Sequence, residues 1–299
     1  MTDVSFERLC SIAGKEAVRR EEPMRKHTSF RIGGPADCFI TVKDPAVLTE
    51  LVAFCRQEGL PYFILGRGTN LLVKDEGFRG VILYTGEMNG FSFDGTVLTA
   101  AAGALLSELA LSSAKRGLGG LEFAAGIPGT LGGGITMNAG AYDGEMKDVV
   151  LSAEVYFPEE GTRTLPVEEL ALGYRTSIIK NGGPVVLSAR LQLREKEPEL
   201  IKERIQELAR ARAEKQPLEY PSAGSAFKRP EGYFAGKLIA DAGLKGYHIG
   251  GACVSEKHAG FIINTGGATE GDVRKLIDHI ILTVQDRYGV TLEPEIKFI

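Results

Sequence analysis

Residues 126 to 142 read GIPGTLGGGITMNAGAY and hold six glycines and no charged side chain. Such a stretch is built for its main chain. Without a Cβ, successive N–H groups can approach a ligand and turn toward it, which is how a neutral loop holds a pyrophosphate. A tight crossover between strands is the alternative use of the same composition. A second cluster, GRGTNLL at 66–72, follows the apolar run Tyr62 to Leu65. That run predicts a short buried strand ending in a glycine turn.

Neither cluster fits the common nucleotide signatures. After Gly66 and Gly68 a dinucleotide fingerprint needs glycine at position 71, where the chain has Leu71. No glycine run is followed by the Lys-Ser or Lys-Thr pair of a P-loop, so kinase and nucleoside-triphosphatase chemistry drop out with the Rossmann reading.

At 299 residues the chain can bury a large core, and length alone suggests about two domains. The formal charge of −4 gives no electrostatic case for nucleic acid, so any phosphate must be met locally. The start, MTDVSFERLC, lacks the basic and apolar segments of a signal peptide, and no stretch approaches a membrane span. The expectation is a cytoplasmic protein. Cys10, Cys38, Cys55 and Cys253 have no ligand or disulfide spacing, and His27, His248, His258 and His279 form no metal pattern. No metal is expected.

Asp44 and Pro45 mark a helix start, with Val47, Leu48, Leu51, Val52 and Cys55 on one face and Gly59 as its stop. Strands are expected at Asp37 to Val42 and Tyr62 to Leu65 on either side, giving an α/β opening. Further strands are read at Gly80 to Leu83, Val97 to Ala101, Val149 to Phe157 and Val185 to Leu193, and a helix at Leu105 to Lys115. Pro198 to Lys215 is a charged, periodic helix, and the turn-forming Pro217 to Gly224 places a domain boundary nearby. Thr269 with Asp272 begins a helix whose apolar stripe runs from Val273 to Val284 and closes at Gly289. Leu292 to Ile299 reads as a final strand.

Three segments combine reactive side chains with turn chemistry. In Tyr174-Arg175-Thr176-Ser177 the guanidinium fork suits a carboxylate or a phosphate, or is a surface charge. In GSAFKRP at 224–230, Ser225 follows a glycine near Lys228 and Arg229, and it could equally cap a turn. It is not a hydrolase elbow, since Ala223 and Phe227 stand where that motif has glycine. Glu293 and Glu295 flank Pro294 as an acid pair, which could equally be solvated and nothing more.

In this order, with HTSFRIGGPAD, LGRGTNLLV, AGKLIADAGLKGYHIGG, VSEKHAGFIIN and LEPEIKFI, these segments resemble the UDP-N-acetylenolpyruvoylglucosamine reductases over nearly the whole chain. The resemblance implies an α+β protein: a vanillyl-alcohol-oxidase-like (PCMH-type) FAD-binding domain over 1–200, in two subdomains split near 57, and a smaller α/β substrate-binding domain over 201–299. The last strand is a candidate to pack back on the N-terminal subdomain. It implies noncovalent FAD, held by Gly66, Arg67, Gly68, Thr69, Asn70, Gly126, Gly129, Thr130, Gly133, Asn138 and Ala139.

NADPH would be the reductant and a UDP sugar the substrate, with no obligate protein partner, nucleic acid or membrane. By the same resemblance, Arg175 and a neutral Glu295 stabilise charge on the substrate carboxylate, and Ser225 donates the proton. Lys228 is a candidate to assist it, and Tyr174, Lys228 and Arg229 contact the substrate. The chain resembles the shorter type, which lacks a tyrosine-bearing loop. It departs from the pattern at Arg229, where many members have Asn, and at Asp143, where glycine is common.

Two other classes fit parts of the pattern. An FAD oxidase of the same fold often tethers flavin to His or Cys, and the second glycine segment contains neither. A flavin- or nucleotide-binding sensor would leave the Arg, Ser and Glu positions without a task.

Overall fold

The computed structural model describes residues 2–180 and 182–299. Helices and strands are mixed throughout, an α+β protein. The chain divides into two compact units that interleave in sequence: Met1–Arg20, Cys38–Arg67 and Gly80–Ala211 form the first, and Glu21–Asp37, Gly68–Arg79 and Arg212–Ile299 the second.

This differs from a single cut between 200 and 201, and the reason is apolar burial and hydrogen bonding between residues distant in sequence. Phe30, Ile32 and Leu72 are buried in one cluster with Phe227, Ile239 and Ile277. Lys297–Phe298 runs parallel to Leu71–Leu72, and the Asp75 carboxylate accepts the Glu270 N–H at 2.9 Å. The last strand thus pairs with a segment beyond the split near 57, one that belongs to the second unit.

The first unit holds α1 (Asp3–Ala13), α2 (Pro45–Gln57), α3 (Leu106–Ala114), α4 (Leu131–Thr136) and, as far as Ala211, α5 (Pro198–Lys215). The Asp44 carboxylate accepts the Ala46 N–H at 2.7 Å and Pro45 begins α2, so the start foreseen at this dipeptide forms. Leu48, Leu51, Val52 and Cys55 are its buried face. Each such side chain contributes about 1.5–3 kcal/mol on leaving water.

After α2, Tyr62–Leu65 runs parallel to a neighbouring strand with Leu65 opposite Tyr84, and the glycine turn follows at once. A five-stranded antiparallel sheet has the order Gly161–Pro166, Val150–Phe157, Val185–Gln192, Val97–Ala101, Phe91–Asp94. Its apolar face and α3 enclose Leu98, Leu109, Leu131, Ile135 and Leu191, all without solvent exposure.

In the second unit, Ser222–Ser225, Phe261–Asn264, Ala252–Val254 and His248–Ile249 make a four-stranded antiparallel sheet in that order. It carries α6 (Ala235–Asp241) and α7 (Glu270–Tyr288). The capping box at Thr269 and Asp272 is made in both directions, and Gly289 closes α7 in the left-handed region at φ 68°. Backbone hydrogen bonds to the Asp272 carboxylate, the Thr269 N–H foremost, hold its pKa below the ordinary aspartate value. No described helix is long and apolar enough to cross a membrane.

Candidate active site

Gly66, the start of the first glycine cluster, meets the second cluster within the first unit. A Cβ on Gly66 would lie 2.5 Å from Thr130 Oγ1, so glycine is what lets the turn after Leu65 approach the second segment. Thr130 caps α4, its hydroxyl accepting the Gly133 N–H at 3.4 Å. The helix start is otherwise occupied: Leu131 and Gly132 donate to the Ala104 and Ala102 carbonyls, each at 2.8 Å. Thr130 itself is buried, and among the described residues neither its N–H nor that of Gly129 has a protein partner. Buried N–H groups are nearly always paired. The buried Thr130 donor, with that of the half-buried Gly129 beside it in a charge-free glycine turn, fits the oxygens of an FAD pyrophosphate.

The other residues expected near cofactor lie as follows. The Arg67 guanidinium reaches the Tyr84 hydroxyl at 3.3 Å. Gly68, at φ 62°, lies so close to the His27 carbonyl that a Cβ would collide with it. Thr69 is half-buried, and Gly126 ends the helical turn Glu122–Gly126. Ala139 uses both main-chain groups inside the protein, its N–H on Gly134 at 2.7 Å and its carbonyl on Met146 at 3.0 Å.

Two asparagines do something the sequence did not announce. The Asn70 amide donates to the Glu295 carbonyl at 3.2 Å, and its own carbonyl accepts the Lys297 N–H at 3.0 Å. Asn138, with no solvent exposure, donates to Glu145 Oε2 at 2.8 Å and the Gly173 carbonyl at 3.1 Å. Its oxygen accepts the Lys147 N–H at 2.9 Å. Each amide from a glycine cluster thus grips the backbone at or beside an expected catalytic residue.

Arg175 occupies a turn closed by reciprocal Gly173–Thr176 bonds of 3.1 and 3.2 Å. Its φ of 53° is unusual for a side-chain-bearing residue and costs about 1–3 kcal/mol, which the surroundings must hold in place. The guanidinium donates to the Gly140 carbonyl at 3.3 Å and lies 5.3 Å from the centre of the exposed Tyr174 ring. Asp143 is almost fully exposed, 4.0 Å from Arg204.

Ser225 and Glu295 come together in the second unit. Ser225 ends its strand opposite Phe261 and is exposed. The next residue, Ala226, donates to the Gly260 carbonyl at 2.8 Å and accepts the Glu295 N–H at 2.8 Å. A bridge between Phe227 and Pro294 and the Lys228 N–H on the Glu293 carbonyl, 2.9 Å, extend the pairing. The Lys228 ammonium pairs with the Glu293 carboxylate, so that cation is engaged beside Ser225 rather than on it. Arg229 is exposed and stacks over Phe234 at 4.0 Å.

His258 was not foreseen as part of this arrangement. Its Nδ1 accepts the Gly260 N–H at 3.1 Å, so the imidazole fixes the peptide that precedes the one whose carbonyl receives Ala226. Burial, helped by the charge of Lys245, holds the His258 pKa below the ordinary histidine value. The signal available in sequence was only a His two residues before glycine.

Residues 36–165 match an FAD binding domain, and residues 216–299 match the C-terminal domain of UDP-N-acetylenolpyruvoylglucosamine reductase. The reductase of that name from Lachnoclostridium phytofermentans is 51% identical, over 100% of this chain and 98% of its own length. The one from Caldanaerobacter subterraneus subsp. tengcongensis is 50% identical over 100% and 99%. The crystal structure of UDP-N-acetylenolpyruvylglucosamine reductase from Thermus caldophilus superposes with a TM-score of 0.80 at 37% identity, covering 94% of this chain and 97% of that one. The chain belongs to the UDP-N-acetylenolpyruvoylglucosamine reductase family.

Proposed function

We propose that this chain reduces the enolpyruvyl group of UDP-N-acetylenolpyruvoylglucosamine to give UDP-N-acetylmuramate, with NADPH as reductant and noncovalent FAD as cofactor. The observation that carries the reading is the pairing of GSAFKRP with LEPEIKFI, which puts Ser225 and Glu295 on either side of the Ala226 peptide. The product is a peptidoglycan precursor, and the reaction belongs in the cytoplasm, where its NADPH and nucleotide sugar are available.

When bound, FAD supplies a site that accepts hydride from NADPH and releases it to the methylene carbon of the enol ether. The donors of Gly129 and Thr130 would take its pyrophosphate, with Gly66 to Asn70 as further residues that would hold it. Arg175 offers its fork to the substrate carboxylate, on which negative charge grows as the double bond is reduced. Glu295, in its neutral form, donates to the same developing charge. The Ser225 hydroxyl gives its proton to the carbon bearing that charge, and solvent restores it, so one hydride and one proton have added across the double bond. Tyr174, Lys228 and Arg229 hold the remainder of the substrate, Arg229 on its diphosphate.

The test is the visible spectrum. The protein should be yellow, bleach anaerobically with NADPH, and regain its colour with the enolpyruvyl sugar. Acid precipitation should leave the flavin in solution. Colour retained in the pellet would favour a tethered-flavin oxidase, and bleaching without recovery would remove the proposed substrate.

A further inference from the structure

We infer that Asn138 is a positioning residue whose buried amide fixes the turn that presents Arg175, making the glycine segment and the guanidinium one rigid frame. The inference rests on the functional reading of Arg175 given above. A cofactor contact through the Asn138 side chain does not fit, because the residue has no exposed surface and both amide hydrogens are taken, by Glu145 and by the Gly173 carbonyl. The amide oxygen is held by Lys147.

What these bonds accomplish follows from the strain at Arg175. A left-handed residue with a long side chain does not keep that conformation unaided; it persists where neighbours determine it. The Gly173 carbonyl accepts both from Thr176, closing the turn, and from Asn138, anchoring it. Ser177 Oγ, just beyond the turn, donates to the Thr136 carbonyl at 2.8 Å and accepts the Ile179 N–H at 3.2 Å. The Arg175 carbonyl is held by Lys180 Nζ at 2.9 Å. On the other side Asn138 directly follows the C-cap of α4, the helix that Thr130 begins, and it too is left-handed, at φ 41°. Asparagine tolerates that region better than most residues. One small amide therefore joins the end of the glycine segment to the start of the Arg175 turn.

Two variants test this in the full-length flavoprotein. Asn138→Asp keeps the shape and the acceptor for Lys147 but removes both donors; Asn138→Ala removes the whole clamp. Anaerobic stopped-flow should show bleaching by NADPH near the parent rate. Recovery of colour with UDP-N-acetylenolpyruvoylglucosamine should slow by ~10-fold to 100-fold, the scale of loss when a catalytic group is displaced by about 1 Å. In an Arg175→Ala background neither substitution should slow recovery further, since Asn138 acts through Arg175. Hydrogen exchange on the apoprotein should show faster exchange at the Thr176 amide in both variants, independently of turnover.

Unchanged recovery and unchanged Thr176 protection overturn the inference, as does a slowing that multiplies with Arg175→Ala. Loss of flavin or of bleaching alongside recovery makes Asn138 a cofactor residue and overturns it too. If circular dichroism shows neither variant folded, Asn138 is a general stability element and the inference falls. A parent protein that bleaches but does not recover with the substrate defeats the functional reading instead, which keeps the two failures distinct.

Discussion

Arg175 and Ser225 are both presented by their backbones, but the devices differ. Arg175 sits in a strained turn gripped by a neutral amide with no exposed surface. Ser225 sits at a strand end, and its neighbour Ala226 is bonded on both sides, to Gly260 and to Glu295. The first device stores strain and depends on side chains, with the Asn138 amide joined by Ser177 and Lys180. The second is strand-like pairing between main-chain groups, and side chains on it can change while the frame survives. A titratable ring enters the second frame at His258, one peptide removed from the carbonyl that receives Ala226. In the proposed reaction, orientation of the anion binder and delivery of the proton would thus be secured in ways that separate perturbations can distinguish.

The largest expected effect comes from the side chain that the second frame carries without depending on it. Ser225→Ala leaves both Ala226 bonds intact, so FAD content and bleaching by NADPH should stay near parent values. Recovery of colour with the enolpyruvyl substrate should fall ~10²-fold to 10⁴-fold, the usual loss of a positioned acid. Stopped-flow reads both halves. Recovery at the parent rate would show that Ser225 is not the donor; failed bleaching would show that the frame depends on the hydroxyl after all, and the contrast with Arg175 would collapse.

Much of this was legible where chemistry is local. The Asp44-Pro45 start, the Thr269-Asp272 box and the Gly289 stop each act within a few residues, and all formed as the sequence implied. The final strand was read over Leu292 to Ile299, yet only Lys297–Phe298 is strand. Pro294 has no N–H to donate, so its pairing with Phe227 stays a single bridge. Helix α4 went unread because three of its six residues are glycine, poor helix formers; burial of Leu131 and Ile135 against the sheet overrides that propensity. The interleaved units were out of reach for the same kind of reason, since Leu72 and Asp75 find their partners near the far end of the chain. At the site, motif residues were visible but their holders were not. Asn138 reads as part of a cofactor loop until the Gly173 carbonyl is found beside it, and nothing near His258 in sequence points to Ala226.

Arg229 tests the second frame at its margin. Its guanidinium rests on the Phe234 ring and lies at the end of the paired segment, so the backbone should not notice its removal. Arg229→Ala should weaken binding of the UDP sugar by about 1–3 kcal/mol, as expected for a lost charge-assisted hydrogen bond. Calorimetric titration measures it, and FAD content should be unaltered. Unchanged affinity would take Arg229 out of the substrate site and leave the cation–π stack as its role.

The smallest effect is a pH dependence that only the second frame should show. Nδ1 of His258 can accept the Gly260 N–H only while it is unprotonated, and burial already disfavours the charged ring. With a folded pKa below the ordinary value of 6.5, the contribution to stability is complete above that value. It is lost as pH falls from there through the lowered folded pKa, because the unfolded chain binds the proton first. The Asn138 amide has no such transition. Replacing the ring with His258→Asn puts an acceptor oxygen near the Nδ1 position and removes the titration. Thermal melts from about pH 7.5 down to about pH 5.5, across the range where histidine changes charge, should therefore show the parent losing more of its melting temperature than His258→Asn does. The remaining acid sensitivity, common to both, belongs to other groups. Parallel curves would mean that the imidazole is not needed as an acceptor, and the Gly260 peptide would have to be held by its strand neighbours alone.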